Sequence, residues 1–490
     1  MVIPIQIHPE NKKLFLFRGK PLVLITATEH YGAVMNRPFR FERYLEDAAQ
    51  HGITLTRLFV LFRELQSACN PYSTCKPESP DYIAPFLRVG PEKALDLQPK
   101  YDLDQWNPEF FDRLHRFLTL AADYGIIVEV VLMSNTYAPE VWSLNPLHAR
   151  NNINDLPEIP WQEYNCLRHE KVVERQLMHV RKIVEETKGY DNIIYEICNE
   201  PGGKAPGIDN PPSPDEVDAW QICIANAIRE VEGDTGHPHL IAGHEAFTYT
   251  PWEHSATKSF SNDFPLDVVN MHPLPNLTWQ GKGYDMGEFM SKQLCLRPYR
   301  DFCLETWQAP KPLNMDEDNV ASQYKDYDGW TIHRKRAWTA LCSGAHYDYI
   351  DFSIINYCEA GTDTSQHCIR SWMGYLSKFI HSLELARAHP IRNWLHHEPE
   401  PLCTSVFGVP GNEYVIYLAD VREITDAHYG EELAGLRIHF DLPEEPFEVA
   451  LFSPETGMHS PWWPITGNSN VELKLPPFKH DLVIHIRIAS

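Results

Sequence analysis

At 490 residues, with 43 Lys and Arg against 67 Asp and Glu and a formal net charge of −24, the chain is long enough for a barrel plus an appended module. Its acidity argues against nucleic acid or an anionic membrane as partner, and apolar and charged fractions of 43% and 22% fit a soluble globular enzyme. The first residues lack a basic segment followed by a long apolar run, no stretch approaches membrane-spanning length, and no paired Cys-x-x-Cys spacing suggests zinc, so the expectation is a reduced, cytoplasmic protein.

In chain order, residues 3–25 read as a hairpin whose last run, Leu22–Thr26, is a first strand leading into Glu29-His30-Tyr31-Gly32. A helix over Phe41–His51 closes at Gly52, and Ile53–Phe62 is a second strand with Arg57 inside it. After a Pro-, Tyr- and Ser-rich loop, helix Glu109–Tyr124 closes at Gly125 and strand Ile126–Met133 ends in Ser134-Asn135-Thr136-Tyr137. A loop carrying Trp142 precedes helix Leu167–Thr187. The fourth strand follows from Ile193 and ends abruptly in Asn199-Glu200-Pro201.

The pattern then repeats. Helix Glu216–Glu232 leads to strand His239–Gly243, which ends in His244-Glu245, and strand Asp267–Met271 ends at His272. Phe302–Leu304 reads as strand seven, ending in Glu305, and helix Tyr324–Cys342 leads to strand eight, Tyr347–Ile355, followed by helix Ser371–His389. Strands that alternate with helices and hand polar residues to the following loop predict an α/β fold, a (β/α)8 TIM barrel over residues 1–390. A Trp- and Pro-rich linker over 391–400 follows. From 401 to 490 the period switches to two, as in Leu436–Leu442, Val471–Leu475 and Ile484–Ile488, which predicts a small antiparallel β-sandwich.

Glu200 and Glu305, about three βα units apart, suit retaining glycoside hydrolysis, in which one carboxyl is a proton donor and the other an ionised nucleophile. The chain resembles glycoside hydrolase clan A, and within it the family 5 cellulase-like barrels. Asn199-Glu200-Pro201 matches the clan's acid/base motif, and Glu305, followed by Trp307, matches its nucleophile. Arg57 matches the arginine that keeps the nucleophile ionised, and His272 sits where the clan carries a His or Tyr beside it. Glu29-His-Tyr-Gly32, Tyr195–Pro201 and Asp351-Phe-Ser353 resemble a bacterial branch whose C-terminal sandwich is labelled collagen-binding. The His-x-Tyr expected after strand six is His272-Pro-Leu here, and the tryptophan expected after strand eight is replaced by Asp351-Phe352-Ser353.

The resemblance implies Asn199 on a sugar 2-hydroxyl. Glu29, His30, His244 and His272 are expected at the mouth, and Trp142, Trp279 or Trp307 could stack on sugar rings. Against these stand structural roles: turn formation for Asn199, core packing for each tryptophan, and a salt bridge within the barrel for Arg57. Glu245 is the rival nucleophile. The expected reaction needs no metal and no organic cofactor, and its partner is a carbohydrate. The competing classes are a catalytically silent carbohydrate- or matrix-binding protein and, more remotely, a metal-dependent barrel hydrolase.

Overall fold

The computed structural model describes residues 2–28, 32–61, 81–234, 236–288, 291–318, 320 and 326–489. Eight parallel strands close a barrel: β1 (Ile25–Thr28), β2 (Leu55–Phe59), β3 (Ile127–Ser134), β4 (Ile193–Asn199), β5 (Leu240–Gly243), β6 (Val268–Met271), β7 (Leu313–Asp318) and β8 (His346–Ile350). Each pairs with its neighbour in sequence, and β8 pairs back onto β1. This is the (β/α)8 architecture read from the sequence.

The outer helices are α1 (Phe41–Gln50), α2 (Pro108–Tyr124), α3 (Glu170–Thr187), α4 (Pro214–Glu232), α5 (Leu296–Thr306), α6 (Tyr327–Cys342) and α7 (Ser371–Ile380). Their ends follow local chemistry. Asn107 caps α2 ahead of Pro108, and Gly125 ends it in the left-handed region at φ +74°. Ser213 and Glu216 form a capping box at the start of α4. No long helix joins β5 to β6, in line with the weak helical signal there. The stretch before α2 was expected as a loop; it carries an antiparallel hairpin, Phe86–Lys93 with Pro99–Trp106.

The barrel interior is layered with period two. Leu55, Ile127, Ile194, Leu240 and Val268 form an apolar plug, sealed below by Ile5, Phe15 and Phe17 of the N-terminal hairpin. Two residues further along four of those strands, the same face carries Arg57, Glu129, Glu196 and Asn270, all buried. The centre of the barrel is therefore a charged, hydrogen-bonded layer resting on an apolar floor.

One sequence expectation fails. Phe302–Leu304 is not a strand; it belongs to α5, and the seventh strand is β7, ten residues later. In β7, Leu313 and Met315 face the helix layer while Asn314 and Asp316 are buried among interior polar groups. The pairing to β8 then shifts: Met315 opposes Tyr347 and Asp318 opposes Tyr349, so β7 holds one extra residue. Such a bulge re-aims the side chains that follow it.

The C-terminal strands are β9 (His389–Pro390), β10 (Leu402–Val409), β11 (Glu413–Asp420), β12 (Arg437–Phe440), β13 (Pro446–Phe452), β14 (Trp463–Thr466), β15 (Val471–Lys474) and β16 (Asp481–Ile488). Six form one antiparallel sheet in the order β9-β10-β11-β16-β13-β14, and β12 pairs with β15 across a separate apolar core. This sandwich packs on α6. Arg334 on that helix pairs with Asp481 through two 2.9 Å bonds, and Trp338 stacks on Tyr417 with centroids 5.6 Å apart. Among the described residues no helix is long and apolar enough to cross a membrane.

Candidate active site

The C-terminal ends of β4, β6 and β7 bring Glu200, His272 and Glu317 together. One ligand atom from each lies within 4.8 Å of the other two. Both glutamates sit in the left-handed backbone region, Glu200 at φ +47° and Glu317 at φ +48°. A non-glycine residue in this region stores strain, and such strain concentrates at functional sites.

Arg57, rising from β2, is the hub beneath them. Its Nη1 donates to Glu317, its Nη2 to Glu196 (2.6 Å) and Asn199 (3.0 Å), and its Nε to Glu196 (3.1 Å). Glu129 and Asp316 lie 3.3 and 3.4 Å from Nε. Burial alone would disfavour the guanidinium charge, but Asp316, Glu196, Glu317 and Glu129 outweigh it and raise Arg57 well above its ordinary range. Arg57 thus sets a permanent cation against the Glu317 carboxylate.

Glu200 is held from several sides. Tyr137 Oη donates to its Oε2 at 2.7 Å and accepts from Asn199 Nδ2 at 2.7 Å. Asn135 Nδ2 donates to the Glu200 carbonyl oxygen at 2.7 Å and to Tyr249 Oη at 2.9 Å. His272 Nδ1 lies 3.0 Å from Glu200 Oε1, and its Nε2 3.2 Å from Asp316 Oδ2. Burial disfavours the imidazolium, yet the bonds to Asp316 and Glu200 prevail and raise His272 to about 10. Asp316 is held down at about 2 because Arg57 and His272 together outweigh its burial.

Several residues expected at the site lie elsewhere. Glu305 sits near the C-terminus of α5, which leads into the start of β7, so it lies toward the opposite end of the barrel from Glu200. There Lys282 pairs with it and Tyr284 Oη donates to it at 2.6 Å. An apolar run ending in Glu looked like a strand; its helical register puts the carboxylate on the surface. Trp307 follows the same helix and packs against Lys13 and Gly344 at that end. Trp142 is core: its Nε1 donates to the Ile159 carbonyl at 3.1 Å, and its ring lies 5.0 Å from that of Tyr164. His244, by contrast, stays beside the site, buried with its ring 5.4 Å from that of His272; burial and the His272 charge lower it to about 4, so it is neutral. Glu245 accepts from the backbone and hydroxyl of Ser259. Glu29 and His30 lie outside the described residues.

Arg57, Asn199, Glu200 and His272 are thus brought together, and Glu317, Tyr137, Asp316, Glu129 and Glu196 join them without having been singled out. For Glu129 and Glu196 a signal existed, the same one that marked Arg57. Arg57, Glu129 and Glu196 are each a charge two residues beyond an apolar position in an otherwise apolar strand, a pattern that demands buried partners.

Two sets of groups could geometrically surround a metal ion: Glu200, His272 and Glu317, and Glu129, Glu196 and Asp316. In both, positive charge is already supplied from the protein. Arg57 contacts Glu317 and every member of the second set, and both nitrogens of His272 are engaged by carboxylates.

The fold recurs in solved glycoside hydrolases. One described as a glycoside hydrolase superposes with a TM-score of 0.62 at 12% identity, covering 99% of this chain and 97% of that one. A family 5 glycoside hydrolase from Bacteroides vulgatus ATCC 8482 gives 0.62 at 11% identity, covering 99% and 94%. No curated protein matches the sequence. The model of the cellulase family, glycosyl hydrolase family 5, matches residues 38–339, a span running from before α1 into α6. The chain belongs to that family of glycoside-cleaving enzymes.

Proposed function

We propose that the protein is a retaining glycoside hydrolase that cleaves β-glycosidic bonds of oligo- or polysaccharides, with Glu317 as nucleophile and Glu200 as acid/base. The observation that carries this reading is the meeting of these two carboxylates at the mouth, with oxygens within 4.8 Å and opposite supports: a guanidinium under Glu317, a tyrosine and a histidine around Glu200. Retention calls for carboxyl groups about 5–5.5 Å apart, and inversion for about 6.5–9.5 Å.

In the first step Glu317 attacks the anomeric carbon while Glu200 passes a proton to the departing glycosidic oxygen. His272 Nδ1, 3.0 Å from Glu200 Oε1, lies within reach of the acid proton. In the second step Glu200 takes a proton from water, the water oxygen attacks the anomeric carbon, and Glu317 leaves. Asn199, fixed between Arg57 and Tyr137, is positioned to meet the sugar 2-hydroxyl, where hydrogen bonds strengthen in the transition state.

The test is to make Glu200→Ala and Glu317→Ala and assay both on a panel of aryl β-glycosides. Each is expected to lose hydrolysis with the fold intact. Azide is expected to rescue Glu317→Ala with inverted product stereochemistry, and full activity in either variant would refute the assignment.

A further inference from the structure

We propose that Glu129 is a neutral carboxylic acid that donates its proton to Glu196, so that the two act as a singly charged positioning pair for Arg57 and, through Arg57, for Glu317. Its catalytic consequence rests on the retaining reading above; the protonation itself does not.

Donors and acceptors decide where the proton sits. Glu129 Oε1 accepts from Asn270 Nδ2 at 2.7 Å, and Glu196 Oε2 accepts from two nitrogens of Arg57. The remaining oxygens, Glu129 Oε2 and Glu196 Oε1, are buried, and among the described residues no N–H or O–H reaches them. The two carboxyl groups instead approach each other, with an oxygen of each within 4.8 Å. Two carboxylates cannot bond to one another; a carboxylic acid and a carboxylate can. The proton belongs on Glu129, because Glu196 takes the guanidinium fork while Glu129 touches only its edge at 3.3 Å.

The surroundings require the same. Around this point β2 supplies Arg57, β4 Asn199, β6 Asn270 and His272, β7 Asn314, Asp316 and Glu317, and β8 Asp348. Five ionised carboxylates on two cations in a dry layer would leave a large uncompensated charge, and one retained proton reduces it. Burial, with Asp316 and Glu196 beside it, pushes Glu129 well above the carboxylate range.

A pair sharing one proton gives Arg57 a fixed charge to lean on across the working pH range. The guanidinium is thereby held at the register where Nη1 meets Glu317 and Nη2 meets Asn199. Glu129 touches no reacting atom; it is a positioning residue.

The experiment uses infrared difference spectroscopy on the full chain carrying Glu200→Gln, with and without Glu129→Gln. The carbonyl stretch of a protonated carboxyl is expected to persist between about pH 5 and pH 8 and to vanish when Glu129→Gln is added. Absence of such a band before that substitution overturns the proposal, and this arm requires no Glu129 variant to fold. Kinetics form the second arm. Glu129→Leu is expected to lower kcat roughly tenfold with KM little changed, and Glu129→Gln, which still donates to Glu196, to restore most of kcat with an unshifted pH profile. If Glu129→Gln instead moves the acidic limb by about one pH unit or more, Glu129 is ionised and the proposal fails. Loss of the retaining assignment would show separately, as turnover surviving in Glu317→Ala.

Discussion

Glu200 and Glu317 share a positive φ, +47° and +48°, although β4, which Glu200 follows, and β7, which holds Glu317, lie three places apart around the barrel. For Glu317 the cause is visible: the extra residue in β7 breaks the alternation that would send a side chain two beyond Met315 into the helix layer. It turns instead toward Arg57, and its backbone N–H donates to Asp348 at 3.2 Å. Both carboxylates leave the backbone from a residue with positive φ.

Tyr137 links the proposed acid to the asparagine beside it, donating to Glu200 and accepting from Asn199. Tyr137→Phe removes one hydroxyl from both. We expect kcat to fall roughly tenfold or more, with thermal unfolding nearly unchanged, as measured by steady-state kinetics and circular dichroism. Unaltered kcat would show that the hydroxyl does not orient the acid.

Arg57 is the only cation in direct contact with four buried carboxyl groups among the described residues. Arg57→Met would leave them uncompensated, and removing one partner from a buried ion-pair network costs about 3–5 kcal/mol. Denaturant unfolding is expected to show that loss. Arg57→Lys keeps the charge but not the fork, and is expected to fold better while still losing most activity.

His272 makes stability depend on pH in the alkaline direction. Its folded value, about 10, lies above its ordinary 6.5, so the stabilisation is fully present below about 6.5 and is lost as pH rises through about 10. The melting temperature of the unmutated chain should therefore fall between neutral and alkaline pH by more than that of His272→Gln. Parallel curves would contradict the imidazolium assignment.

The sandwich is tied to the barrel by one fully buried pair, Arg334 with Asp481, which Tyr417 Oη also joins at 3.0 Å. Asp481→Ala is expected to destabilise by about 3–5 kcal/mol, and partial proteolysis should then release the C-terminal strands. Resistance equal to that of the unmutated chain would show that the apolar contacts around Trp338 suffice.

Seven of the eight barrel strands were legible in the sequence because their outward faces are apolar and glycine or polar residues mark their ends. Strand β7 was not. In Leu313-Asn-Met-Asp-Glu-Asp318 four of six residues are polar, so periodicity reads it as a loop. Those side chains are buried because Arg57, His272 and Arg336, all distant in sequence, supply their charge partners. Helix α6 carries four consecutive basic residues, His333, Arg334, Lys335 and Arg336, yet all four are buried. Conversely, Asp301-Phe-Cys-Leu-Glu305 resembles a strand end only while its helical neighbours are ignored. The proposed acid was legible from Asn199-Glu200-Pro201, but Glu317 was hidden by the polarity of its own strand.

The central claim is that Glu317, and not Glu305, forms the covalent bond to the sugar. Incubation with a 2-deoxy-2-fluoro β-glycoside bearing a good leaving group, followed by proteolysis and mass spectrometry, reads this directly. A glycosyl adduct on Glu317 is the predicted result. An adduct on Glu305, or none in a protein that turns over the parent glycoside with inversion, would contradict it.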